Sequence, residues 1–210
     1  MLASNVGHCL WTGIVDEEHA PLVAKRLLSG DLWSGFGIRT LAMSMAAYNP
    51  VSYHNGSVWP HDNAVVAAGL MRYGFVEEAQ RITVGLFEAA NRYGGRLPEL
   101  FCGFDQEEYP EPVVYPASCS PQAWAAAAPL SLLRTILRFD PSVPTGEVWV
   151  APALPPEFGD IHLRNVPFAG SRISLDVSRG TAAVVGLPTY LTLHQEPLGA
   201  AMVSTRRESS

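Results

Sequence analysis

The chain has 210 residues, 48% of them hydrophobic and only 16% charged, so it can bury a sizeable core and is not a disordered protein. The formal net charge is -6, and no run of Lys or Arg supplies the basic surface that nucleic-acid binding requires. The sequence contains neither a signal-peptide pattern nor a window of roughly 20 apolar residues, so we expect no nucleic-acid partner and no membrane partner.

The cysteines indicate a reducing compartment. Cys9, Cys102 and Cys119 are widely spaced, which fits free thiols better than a disulfide framework or a zinc site. We therefore expect a cytoplasmic protein. Apolar and aromatic residues follow almost directly after Met1, and we expect the chain to be a fragment of a longer domain.

The first half of the chain predicts three helices. The first starts with Asp16 as its N-cap and stops at Gly30, with apolar residues at helical spacing between them. A short helix is predicted over TLAMSMAAY, ending at an Asn-Pro pair. The third runs through WPHDNAVVAAGLMRYG, with Pro60 in its first turn and Gly74 at its end.

Two more helices flank a long loop. One ends at the Gly94-Gly95 pair and should pack antiparallel to the helix before it. The segment from Gly95 to Ser120 is irregular, as is typical of functional loops. The stretch SPQAWAAAAPLSLLRTILRF then predicts a helix that is apolar nearly all round, which we expect to be buried and kinked at Pro129.

Beyond Asp140-Pro141 the sequence changes to short β-branched segments separated by Pro and Gly, which predict strands. The segments are EVWVAPALP, DIHLRNVPF, SRISLDVSR and TAAVVGL. The predicted organisation is a helical segment over 1–141, a small β-rich unit over 142–194 and a disordered tail over 195–210.

The motif YHNGSVWPHDN concentrates polar and aromatic side chains on a loop that enters a helix. Sugar recognition requires this mixture, because aromatic faces contact the C–H side of a pyranose while polar groups bind its hydroxyls. Metal ligation by its histidines and capping of the turn and helix are the alternatives. The candidate sugar-binding residues are Tyr53, His54, Asn55, Trp59, His61 and Asp62.

A second candidate lies in the stretch RLPELFCGF. Glu99 follows a Pro and is flanked by apolar residues, and partial desolvation of this kind suits a carboxylate for general acid or base chemistry. The alternative is a surface glutamate after a turn.

Four further residues are candidates for substrate binding. Asp105 lies in the same loop, Arg39 carries a fork of donors, and Gln122 and Trp124 start the last helix, where the indole suits a pocket wall. For Arg39 a structural ion pair is equally compatible, and for Gln122 and Trp124 a place in the core. No phosphate-binding loop, dinucleotide motif or G-x-S-x-G is present, and we expect no cofactor and no metal.

Four stretches together resemble a known enzyme family. SGFGIRTLA, YNPVSYHNGSVWPHDNAVVAAGL, RLPELFCGF and YPASCSPQAWAAAAPL, in that order, are similar to the C-terminal part of the amylo-α-1,6-glucosidase (glycogen debranching enzyme) family of glycoside hydrolases. The resemblance implies a mainly α fold, an incomplete (α/α)6 toroid of helical hairpins followed by a small β unit. It implies an oligosaccharide or α-glucan substrate.

The resemblance also implies a mechanism. Family members invert the anomeric centre with two carboxylic groups, and Glu99 matches the general base. The family's general acid is an Asp in an upstream segment that this sequence lacks, so we expect the chain to be incomplete as a catalyst. A partner chain or a dimer that completes the toroid is a further expectation.

Two other classes remain open. One is a non-catalytic carbohydrate-binding or assembly module that keeps the sugar wall. The other is a structural remnant whose exposed apolar surface is covered by a partner chain.

Overall fold

The computed structural model describes residues 2–198. The predicted tail over 195–210 therefore lies, from residue 199 onward, outside the described residues. The chain divides into two compact units, the first ending at Leu133 and the second beginning at Arg134. No helix within residues 2–198 is both long and apolar enough to cross a bilayer.

The described residues contain five α-helices. The helices predicted at Pro60, after Gly74 and in the SPQAW stretch are confirmed. The helix predicted between Asp16 and Gly30 is present but shorter, and its N-cap is His19 and not Asp16. The short helix predicted over TLAMSMAAY is wrong, because this segment forms turns. The helices are α1 (Val6–Thr12), α2 (Ala20–Leu27), α3 (Pro60–Arg72), α4 (Val76–Arg92) and α5 (Ala123–Leu137).

The first helix, which the sequence did not predict, packs directly against α3. Glycines permit this close approach: a Cβ on Gly7 would lie 2.6 Å from Val66 Cγ2, and one on Gly69 would lie 2.6 Å from the Trp11 nitrogen. Larger residues at either position would force the two helices apart. The α1–α3 contact brings the start of the chain beside the first turn of α3.

Single β-bridges, and not helices, connect the remaining segments of the first unit. Antiparallel bridges join Arg39 to Val58, Val58 to Phe101, and Phe101 to Val114. Val58 and Phe101 exchange both backbone hydrogen bonds, with N···O distances of 2.9 and 3.0 Å. Four stretches that are separated in the sequence are thereby fixed side by side.

The expected incomplete (α/α)6 toroid is wrong. A toroid requires successive helical hairpins, whereas among the described residues only α3 and α4 are long helices joined by a short turn. The segments 28–59 and 93–122 are irregular and held by the β-bridges, and the described residues also include six strands in two small sheets. The mainly helical, ring-like arrangement implied by the resemblance is therefore not present in residues 2–198.

The second unit contains two three-stranded sheets. The first has the order β1-β2-β6, with β2 antiparallel to β1 and parallel to β6, and the second is an antiparallel sheet of β3, β4 and β5. Ile173, Leu175 and Val177 alternate on the buried face of β4. The strands are β1 (Phe139–Ser142), β2 (Glu147–Val150), β3 (Ile161–Phe168), β4 (Ser171–Ser178), β5 (Thr181–Val185) and β6 (Thr192–His194).

The last helix, α5, is only partly buried, which corrects the expectation of a fully buried helix. Ala125, Ala128 and Leu132 are buried at helical spacing, whereas Trp124 is 61% exposed and Leu130 is 69% exposed. The opposite face is apolar largely because of alanines, and exposing so small a side chain to water costs little free energy. Only one stripe of α5 therefore belongs to the core.

A buried arginine ties the irregular segments together. The Arg39 side chain is 0% exposed. Its Nε donates to the Gly103 carbonyl at 2.6 Å, its Nη1 to the Trp33 carbonyl at 2.7 Å, and its Nη2 to Asp105 Oδ2 at 3.2 Å. A guanidinium suits this place because its planar fork serves several acceptors at once.

Replacing Arg39 with Met should lower the free energy of unfolding by about 3–5 kcal/mol, because buried carbonyls would lose their donors. Arg92→Met is the matched control, since the Arg92 side chain is 47% exposed in its pair with Glu111 and should cost less than about 1 kcal/mol. Urea denaturation measures both values. Equal losses in the two variants would contradict the structural role of Arg39.

Candidate active site

The β-bridges place the two sequence motifs next to each other. Trp59 directly follows Val58, and Glu99 lies two residues before Phe101, the bridge partner of Val58. Tyr115 follows Val114, which pairs with the other side of Phe101. The candidate site is therefore assembled by backbone pairing of three loops.

The half-buried Glu99 carboxylate is held from two directions. The Tyr53 hydroxyl donates to Oε1 at 2.9 Å, and the Cys119 N–H donates to Oε2 at 3.3 Å. The Glu99 N–H in turn donates to the Cys119 carbonyl at 3.0 Å. Because the hydrogen bond to Glu99 stabilises the phenol, the pKa of Tyr53 is raised and its hydroxyl stays a donor.

Aromatic rings form a wall beside this carboxylate. The Tyr53 ring meets the rings of His54, Trp59 and Tyr115 edge to face, with centroid distances of 4.7, 4.8 and 5.8 Å. The indole N–H of Trp59 donates to the Tyr53 carbonyl at 3.1 Å, which fixes the indole against the loop. Edge-to-face contacts of this kind hold the rings in defined positions.

The wall continues through His61, in the first turn of α3, to Trp124, in the first turn of α5. The His61 ring lies 5.5 Å from Trp59 and 4.3 Å from Trp124, centroid to centroid. Burial lowers the pKa of His61 below its ordinary value. Within residues 2–198 neither ring nitrogen of His61 has a hydrogen-bond partner, so both are available to a ligand.

The predicted site residues form two groups, which differ in whether their side-chain polar atoms have hydrogen-bond partners in the described residues. The side-chain polar atoms of one group have no hydrogen-bond partner in the described part of the chain, and this group comprises His54, Asn55, His61 and Trp124. The other group is bound internally and comprises Arg39, Tyr53, Trp59, Asp62, Glu99, Asp105 and Gln122.

Two members of the internal group have partners that give them structural roles. Asp105 accepts from Arg39 and from the Glu107 N–H, which shapes its own loop. Gln122 Oε1 accepts from the Ala125 N–H at 2.8 Å and so caps the start of α5.

Asp62 has a partner that the sequence did not indicate. His8 Nε2 lies 2.6 Å from Asp62 Oδ1, and the Asp62 side chain is only 11% exposed. The other carboxylate oxygen, Oδ2, is buried without a hydrogen-bond partner. His8 and Asp62 are 54 residues apart, so no local pattern could have paired them. Sequence reasoning also missed Tyr115 and Cys119, although both lie in the segment 95–120 that was predicted to be a functional loop.

The described residues contain no group of three or more His, Cys, Asp or Glu side chains that would suit a metal ion. The neighbours of Glu99 are aromatic rings, a phenol and a backbone amide. Such a site can bind a polyhydroxylated ring and accept a proton from a molecule placed against the carboxylate.

Comparison with known proteins identifies the family. The sequence model of the mannosylglycerate hydrolase MGH1-like glycoside hydrolase domain matches residues 5–110, which is half of the chain. The chain belongs to the MGH1-like glycoside hydrolase family. The match includes Tyr53, Trp59, His61 and Glu99. It confirms the resemblance to glycoside hydrolases and does not extend to the amylo-α-1,6-glucosidases specifically.

One solved structure similar to this MGH1-like chain is the crystal structure of an uncharacterized conserved protein from Thermus thermophilus. It is 21% identical, with a TM-score of 0.51, over 63% of this chain and 30% of that chain. This likeness shows a shared fold, and the chain spans less than a third of that protein's length. No curated protein matches the sequence.

The His8–Asp62 pair predicts a pH-dependent stability. The hydrogen bond to Asp62 raises the pKa of His8, so the stabilisation is fully present below the pKa of the unfolded chain and is lost as the pH rises through the folded value. His8→Gln should therefore lower the free energy of unfolding, and the loss relative to the wild type should be larger at about pH 6 than at about pH 8.

Urea denaturation at the two pH values measures this difference. His19→Gln is the matched control, because the His19 side chain is 59% exposed and its carboxylate neighbours are at 3.6 and 3.7 Å. A His8→Gln deficit that grows with pH would contradict the assignment.

Proposed function

We propose that this chain provides the general base and part of the sugar-binding wall of an inverting glycoside hydrolase that acts on α-glucosidic bonds, with α-1,6 branches as the preferred target. The observation that supports it most is the hydrogen bond from Tyr53 to Glu99, which holds a carboxylate at the edge of an aromatic wall. The family match supports the reaction class.

In this proposal Glu99 deprotonates the attacking water. The Tyr53 hydroxyl and the Cys119 N–H each donate a hydrogen bond to one oxygen of the Glu99 carboxylate. The remaining lone pairs of these oxygens can accept a hydrogen bond from water. The carboxylate is thereby oriented before substrate arrives, which spares the cost of orienting it during the reaction. The water attacks the anomeric carbon as an opposing acid, about 6.5–9.5 Å away, protonates the leaving oxygen.

We propose that this acid is an aspartate supplied from outside the described residues. Asp62 does not suit the role, because it is buried in its pair with His8. Asp105 is engaged by Arg39.

The sugar would lie against the aromatic wall. Trp59 and Tyr53 offer ring faces and edges to the C–H groups of a pyranose, while His54, Asn55 and His61 offer polar atoms that lack protein partners in the described residues. The family is named for a mannosylglycerate hydrolase. Mannosylglycerate therefore belongs beside α-1,6- and α-1,4-linked glucosides in any substrate panel.

Glu99→Gln should reduce kcat/KM by about 10²–10⁴-fold, because an amide cannot accept the proton. Tyr53→Phe should reduce it by about tenfold, because the carboxylate loses the charge-assisted hydrogen bond that orients it. Glu107→Gln, which changes an exposed glutamate of the same loop, is the matched control. Hydrolysis of the substrate panel by each purified variant measures these effects.

The assay uses this chain alone and also joined to any natural upstream segment. A Glu99→Gln protein as active as the parent would end the proposal. Calorimetric binding of maltooligosaccharides without turnover in either form would favour the non-catalytic carbohydrate-binding module.

A further inference from the structure

The His8–Asp62 pair lies next to a residue of the sugar-binding wall. Asp62 and His61 are neighbours in the first turn of α3, yet their side chains have different partners. Asp62 contacts His8 of α1 at 2.6 Å, and His61 contacts Trp59 and Trp124. Asp62 is therefore paired with the imidazole of His8 and directly follows His61 in the chain, and of these two histidines only His61 belongs to the candidate site.

Three ionisable groups act on His61. Burial of the ring has the largest effect and lowers the pKa of His61; of the charges, Asp62 raises this pKa, a protonated His8 lowers it, and Glu99 raises it. Of the elements whose rings contact His61, the loop before α3 contributes Trp59, with the titratable Tyr53 and His54 in the same loop, and α5 contributes Trp124. His8 of α1 and the Glu99 carboxylate act on His61 through their charge.

The charge state of His61 matters because of the ligand it would face. A neutral imidazole donates one hydrogen bond and accepts another, as sugar hydroxyls require, whereas an imidazolium only donates. An imidazolium would also attract the Glu99 carboxylate and so weaken it as a base. An unpaired Asp62 carboxylate beside His61 would promote this protonation.

We propose that His8 is a positioning residue for the site: by pairing with Asp62 it neutralises that carboxylate, and so, in addition to the burial of the ring, it favours a neutral His61 able to bind substrate hydroxyls. The geometry supports this role. The contact is short, the carboxylate is largely buried, and the glycine-mediated packing of α1 on α3 holds the two groups in place. The proposal rests on the proposed function in taking His61 as a sugar-contacting residue.

Histidine-resolved NMR titration tests the charge coupling without any assay of activity. In the wild type, His61 should titrate below the ordinary histidine pKa and below His8. In His8→Gln the pKa of His61 should shift upward, because Asp62 loses its counter-charge while the glutamine amide still donates to it. His19→Gln is the control and should leave His61 unchanged.

An unchanged His61 pKa in His8→Gln would overturn the proposal. If the His8→Gln protein does not fold, the titration of the wild type still tests the proposal. A His61 whose pKa equals or exceeds that of His8 would contradict the proposal.

The sugar-binding part is tested by the pH profile of maltotriose affinity. Affinity should fall as the pH drops through the pKa of His61, and in His8→Gln this fall should begin at a higher pH. Identical profiles in the two proteins would overturn the role of His8. Absence of binding at every pH, with the NMR shift present, would instead overturn the proposed function.

Discussion

The reciprocal backbone hydrogen bonds between Val58 and Phe101 hold the candidate site together. They join the loop that carries Tyr53 and Trp59 to the loop that carries Glu99, and Phe101 pairs on its other side with the segment that carries Tyr115. Glycine is required at this junction, because a Cβ on Gly103 would overlap the Gly56 carbonyl oxygen. Arg39 satisfies the Gly103 carbonyl from inside the core. The site therefore depends on the close approach of three irregular segments.

This arrangement explains how the polar residues predicted for the site come to have different roles. Residues whose polar atoms are bound internally shape the loops or orient the carboxylate, as Arg39 and Tyr53 do. Residues whose polar atoms have no partner in the described part of the chain, such as His54 and His61, are available to a ligand. The His8–Asp62 pair joins α1 to the first turn of α3, at the residue that directly follows His61.

The regular elements could be predicted from the sequence, and the long-range pairings could not. Apolar periodicity was sufficient for α4, periodicity together with a proline in the first turn was sufficient for α3, and β-branched alternation was sufficient for β3 and β4. The single β-bridges at Val58 and Phe101 have no periodic signature. The fold taken from the resemblance was wrong because the loops between helices are paired as short β segments. The motif composition singled out Tyr53, Trp59 and Glu99, which the structure brings together, whereas His8 lies too far away in the sequence to be paired with Asp62.

In the proposed mechanism the Glu99 carboxylate faces a sugar bound on the Trp59 and Tyr53 rings. A crystal structure of the protein with a bound, unhydrolysed α-glucoside analogue would show this arrangement. The pyranose should lie against these rings, with its anomeric carbon facing Glu99 across a space for one water. A sugar bound elsewhere, or a Glu99 carboxylate turned away from the anomeric carbon, would contradict the mechanism.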